Sequence, residues 1–116
     1  MPSAFDVAPV GPTSGGKVYA YNNLSTTPEV VAPANQFRTR ITFHNPGAVD
    51  ILVGPQYVLV NGSNQPLTPS PSSLGGCFLI YANGGERTFT GECQGQWQAF
   101  SASASSNPLT VIDSNA

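Results

Sequence analysis

Residues 36–44 read Gln36-Phe37-Arg38-Thr39-Arg40-Ile41-Thr42-Phe43-His44, and Asn45-Pro46-Gly47 follows directly. Phe37, Thr39, Ile41 and Phe43 fall on one parity; Arg38, Arg40, Thr42 and His44 fall on the other. Side chains alternate across an extended chain, so this spacing predicts a β-strand with one buried face. The Asn-Pro-Gly that follows is a strong turn signal, because proline has no N–H to donate and glycine accepts backbone angles other residues avoid.

The same reading extends in both directions. Lys17-Val18-Tyr19-Ala20-Tyr21 predicts a short strand that stops at Asn22-Asn23, and residues 24–35 read as a loop with an edge strand at Val30-Val31 cut off by Pro33. Downstream, Val49–Val53 predicts a strand, Gly54-Pro55 a turn, and Tyr57–Val60 a strand ended by Asn61-Gly62. Residues 61–76 are rich in proline and serine and read as a long loop, a length that in compact domains usually serves function or stays disordered. Cys77–Tyr81 and Arg87–Thr90 flank Asn83-Gly84, the residue pair of a tight hairpin. Gln96–Phe100 predicts a further strand. Residues 101–107 read as a link, and Leu109–Ile112 as a last strand or a segment that docks on a neighbour.

Nothing repeats with a helical period. Seven or eight short strands separated by turns predict an all-β domain: a β-sandwich, a jelly roll or a small barrel. The expected organisation is an extended N-terminal arm at 1–16, a β domain at 17–100 and a C-terminal tail at 101–116. The arm is inferred from Pro2, Pro9, Pro12, Gly11, Gly15 and Gly16, with few apolar residues to anchor it.

The 116 residues fit one domain with one core. Charged residues make up only 9% of the chain, against roughly 25% in an ordinary soluble protein. With four basic residues and a formal net charge of −2, the chain has no basic field to draw nucleic acid or an anionic membrane. Disorder is excluded by the 40% hydrophobic content and its clustering in alternating runs. The first sixteen residues lack the basic segment and apolar run of a secretory signal, and no apolar stretch nears the roughly 20 residues that span a bilayer.

Catalysis needs titratable groups placed for a task, and few are present. His44 is the only histidine and sits on the polar parity of its strand, where a surface role is expected. Asp6, Glu29, Asp50, Glu86, Glu92 and Asp113 are spread singly, and no serine or cysteine has a spacing that suggests a triad. One histidine and two separated cysteines make a poor zinc site, and no acidic run suits calcium. The expectation is therefore a protein that is not an enzyme and holds no cofactor or metal. A hairpin centred on Asn83-Gly84 would set Cys77 opposite Thr90, about three positions from Cys93. Free thiols are expected, since a disulfide needs Cβ atoms about 3.5–4.5 Å apart.

Two constellations remain for binding. Arg38 and Arg40 project from one face of the same strand and could fork onto carboxylates or phosphates of a partner. Tyr19, Tyr21, Tyr57, Tyr81 and Trp97 could form a platform for stacking sugars, or could pack in a core or interface with polar tips outward. The single lysine, Lys17, leaves the sheet edges without their usual guard, so they must be closed into a barrel, blocked by proline or covered by other chains.

Val49-Asp50-Ile51-Leu52-Val53-Gly54 after Asn45-Pro46-Gly47, with the late Gly95-Gln96-Trp97-Gln98-Ala99, resembles small β-rich virion proteins of tailed phages over residues 36–100. The resemblance implies a capsid decoration or cement protein on the capsid surface. Its partner would be the major capsid protein or another virion protein. It further implies a homo-oligomer, a trimer above all, held by terminal arms, with a glycan- or receptor-binding module of a fibre or tail as the alternative. It assigns no functional residue.

Overall fold

The computed structural model describes residues 17–55, 57–60, 63–66, 77–91, 93–103 and 106–115. These form ten strands: β1 (Lys17–Leu24), β2 (Glu29–Ala32), β3 (Arg38–Asn45), β4 (Ile51–Pro55), β5 (Tyr57–Val60), β6 (Ser63–Pro66), β7 (Phe78–Ile80), β8 (Gly85–Thr90), β9 (Trp97–Ser101) and β10 (Asn107–Asn115). The expected arm at 1–16 and much of the loop at 61–76 lie outside the described residues.

Eight of the strands form two four-stranded sheets, β1-β10-β3-β8 and β2-β9-β4-β7, and β5 pairs only with β6. All ladders are antiparallel. The pairs β1/β10, β2/β9, β3/β8 and β4/β7 are nested one inside the next, with the β5–β6 hairpin at the innermost position. The chain is thus one long antiparallel ribbon wound up so that β10 also meets β3 and β9 also meets β4. That is the jelly-roll arrangement.

The core lies between the sheets. Ile41 and Phe43 of β3, Ile51 and Val53 of β4, Trp97 and Ala99 of β9, and Leu109 and Val111 of β10 point inward and are buried. Phe43 and Phe89 from one sheet meet Phe78 and Trp97 from the other, with ring centroids 4.8–5.3 Å apart, and Phe43 meets Phe89 edge-on at 6.0 Å within its own sheet. Tilted and edge-on contacts at these distances suit the ring quadrupoles and add to the burial of apolar surface.

Three local expectations are corrected. Gly54 and Pro55 do not turn the chain; they extend β4 opposite Gln98 and Trp97. Proline is tolerated there because, among the described residues, β7 pairs only with Ile51–Val53, so the Pro55 nitrogen is not asked to donate to it. Within the predicted 61–76 loop, residues 63–66 form β6, with Val60 opposite Ser63. Asn83 and Gly84 do take positive φ, at 64° and 99°, but the strands they join enter different sheets rather than one hairpin. Gly85 follows with its α-carbon packed so close that a side chain would press into the Tyr81 backbone. The last strand read at Leu109–Ile112 is present and runs longer, as β10, a central strand between β1 and β3. Its inward residues Leu109, Val111 and Asp113 are buried among the rest of the core face.

Candidate functional site

β3 departs from simple alternation at its start. Arg40 pairs with Ser114 and Arg38 with Asn115, so Thr39 is one residue too many and forms a bulge. The bulge reverses parity upstream. Phe37, expected inside, is 69% exposed, and Arg38, expected outside, is completely buried. The expectation that Arg38 and Arg40 share an exposed face is therefore corrected: Arg40 alone stays outside.

Arg38 uses all five of its N–H groups. Nε donates to Asp113 Oδ1 at 2.8 Å, and one terminal nitrogen donates to Asp113 Oδ2 at 3.0 Å and to the Pro33 carbonyl at 2.6 Å. The other terminal nitrogen donates to the carbonyls of Cys93 at 2.8 Å and Gly95 at 2.9 Å. A planar fork with five fixed donors fits this set, and no lysine could. The guanidinium thus joins the end of β2, the β8–β9 connection and β10 at one end of the sandwich. Asn35 completes the cluster, donating from its amide to Asn115 Oδ1 at 3.0 Å and, more distantly, to Asp113. Its Oδ1 accepts from the Phe37 N–H at 3.0 Å, closing the turn into β3.

Burial pushes the Asp113 carboxyl upward, but the hydrogen bonds and charge of Arg38, with Asn35 and Lys17 behind them, outweigh it and hold the group below its usual range. Sequence reading missed Asp113, although a signal was there: Leu109, Val111 and Asp113 share one parity, so an acid stands where the strand faces the core.

Both sides of the sandwich are laced by similar means. Tyr21 Oη on β1 donates to the Val31 carbonyl of β2 at 2.8 Å, and Arg87 Nε on β8 donates to the Leu79 carbonyl of β7 at 3.0 Å. Arg87 also lies 6.0 Å from the Phe78 ring centre. Burial, then the neighbouring Tyr19 and Glu29, raise the Tyr21 phenol above its ordinary value. At the far end Asn45 donates to the carbonyls of Val49 and Ile80 at 2.8 and 3.1 Å, and its Oδ1 accepts from the Gly47 N–H.

Among the described side chains the sugar platform is not assembled, and that of Tyr57 lies outside them. Trp97 is 4% exposed, and its indole N–H donates to the Cys93 carbonyl at 3.2 Å. Tyr19 and Tyr21 lie on the inner face of β1, half-buried against the core, and Tyr81 stands apart and exposed. The five candidates Arg38, Arg40, Tyr19, Tyr21 and Trp97 therefore do not form one surface. Tyr19 does line an open cleft of about 300 Å³ with Lys17, Asn35, Asp113 and Asn115, above the Arg38 cluster.

Cys77 and Cys93 are free, and burial raises both thiols; at Cys93 the nearby Arg38 pulls the other way. His44 Nδ1 lies 3.0 Å from Glu86 Oε2, a cross-strand neighbour on the outer face of the first sheet. Among the described residues no three His, Cys, Asp or Glu side chains gather as a metal site, and no helix is long and apolar enough to cross a membrane.

No family model matches the chain, and no curated protein matches it. Among solved structures it is similar to a chain from work on Bacillus endospore appendages, described as forming a novel family of disulfide-linked pili. The two are 10% identical, the match covers 87% of this chain and 86% of that one, and the TM-score is 0.47. A likeness at that identity concerns the fold alone.

Proposed function

We propose that the protein is a non-enzymatic structural subunit of a virion, a jelly-roll domain that decorates or cements a phage capsid. One observation carries this reading: the outer face of the first sheet is open and mostly neutral, with Arg40, His44 and Glu86 its only charge-bearing side chains among the described residues. Asp113 is bound by Arg38, Glu86 meets His44, Arg87 caps Leu79, and Asp50 Oδ1 accepts from the Ala82 N–H at 2.8 Å. The outer face of β1-β10-β3-β8 carries Val18, Ala20, Thr42, Thr88, Thr110 and Ile112 around the few charges. Such a face offers shape and neutral polar contact to a neighbouring subunit, and little to charged ligands. The phage assignment itself comes from the sequence resemblance.

Attachment to capsids should therefore resist salt. Binding measured by co-sedimentation with phage heads is expected to survive about 1 M NaCl, where the screening length falls to about 3 Å. Hundreds of copies per particle, counted by quantitative mass spectrometry, fit decoration. Release at moderate salt, or absence from particles, would overturn the proposal. The cleft beside Tyr19 favours a second reading, a glycan- or receptor-binding module of a fibre or tail. In that case a glycan array gives a hit that Tyr19→Ala and Asn115→Ala each remove.

A further inference from the structure

Four strands end the two sheets, and three of them are guarded. β1 carries a register break between Tyr21 and Leu24. β2 has four residues, a break between Val30 and Ala32, and the Tyr21 hydroxyl on its Val31 carbonyl. β7 has three residues, with Arg87 on its Leu79 carbonyl. Breaks, brevity and polar caps are the ordinary defences of an exposed edge.

β8 has none of these. Its six residues, Gly85-Glu86-Arg87-Thr88-Phe89-Thr90, run in unbroken register against Asn45 to Arg40 of β3. It contains no proline and no lysine. Its two charges point elsewhere: Glu86 reaches across to His44, and Arg87 reaches inward to β7. Among the described residues no strand pairs with its free side. An edge of this kind is a template for another strand.

We propose that β8 pairs antiparallel with β8 of a second copy, with Thr88 facing Thr88 across a two-fold axis. The register follows from side-chain parity and charge. Two copies of one strand can meet antiparallel only with a residue on the axis, because facing residues must lie on the same side of the sheet. Two registers engage five residues of β8. Placing Arg87 on the axis sets two guanidinium groups side by side, which is destabilising. Placing Thr88 there sets Glu86 opposite Thr90 and Arg87 opposite Phe89, with no like charges in contact. The Thr42 and Thr88 hydroxyls, already 2.9 Å apart, then continue into the same pair of the second copy. The product is a continuous eight-stranded sheet, β1-β10-β3-β8 joined to its mate. This pairing does not rest on the virion reading, and its two-fold symmetry replaces the trimer that the resemblance implied.

Light scattering on the purified chain tests it. The expected mass is twice the 12.1 kDa of one chain. Thr88→Lys places two ammonium groups at the axis and is expected to raise the dissociation constant by at least about tenfold, with the circular dichroism and melting temperature of the monomer retained. In a Cys77→Ser background, Thr88→Cys should cross-link to a dimer under mild oxidation, and Val18→Cys, on the opposite edge strand, should not. A monomer at high concentration, a trimer, or a dimer indifferent to Thr88→Lys would each overturn the proposal. Capsid binding by a protein that stays monomeric would sink the edge pairing and leave the virion reading standing.

Discussion

Arg38 and Asp113 together decide more about this molecule than any other two residues, because each is nearly or fully buried and neither has another partner able to replace the first. Removing one leaves an uncompensated charge in the interior, so Arg38→Met or Asp113→Ala is expected to cost about 3–5 kcal/mol in chemical denaturation. Arg38→Lys should destabilise as well, since one ammonium group cannot reach two carboxylate oxygens and three carbonyls in the fork geometry seen here. The pair also sets a pH dependence. Asp113 has its acidity strengthened by folding, so its contribution is complete above the ordinary carboxylate value of about 3.9 and is lost as pH falls through the lower folded value. Melting temperatures recorded down the acid range should therefore fall more steeply for the parent than for Asp113→Asn. Equal acid profiles would show that the carboxylate is not the group responsible.

At the level of strands, the two ends of β3 show how far a sequence can be read. From Ile41 to Phe43 the alternation in the sequence is the alternation in the structure, because the ladders on both sides are regular there. Before Arg40 the same reading inverts, and the cause is the single extra residue Thr39. A bulge is fixed by what the partner strands and the buried Arg38 require, and no residue type marks it. Deleting Thr39 would remove the extra residue and set Arg38 next to Arg40 in the ladder, opposite Asn115, so that simple alternation keeps Arg38 inward beside Asp113 and Phe37 outward. The expected result is a loss smaller than that of Arg38→Met, measured in the same denaturation experiment, and a loss as large would show that the bulge itself is needed to seat the guanidinium. Asn83-Gly84 teaches the complementary lesson. The turn was legible because positive φ is a local demand. The sheets joined by β7 and β8 were not, because β4 and β3 choose them from 25 to 50 positions away. The candidate site fared worse than the fold for the same reason: Arg38 and Trp97 were singled out as unusual, and their roles depended on distant partners.

For the molecule as a whole, the nested pairing makes the two termini of the β domain mutually dependent. β10 separates β1 from β3, so a chain ending at residue 106 would lose a central strand, half of the Arg38 ion pair, and the inward Leu109 and Val111. Such a truncation is expected to be unfolded by circular dichroism, whereas loss of a dispensable tail would leave the spectrum unchanged. Nesting also sets a timetable. The β5–β6 hairpin joins neighbours in the chain and can form early, while each successive pair outward closes a longer loop, β1 with β10 last. Topologies dominated by distant pairings fold on the order of milliseconds to seconds. On a ribosome, β1 must wait for β10, so the β1-β10-β3-β8 sheet is not complete until β10 has been translated and has cleared the exit tunnel. Throughout that interval the apolar faces of the early strands stand open to chaperones, proteases and one another, and the protein's yield in a cell is governed by how that wait is survived.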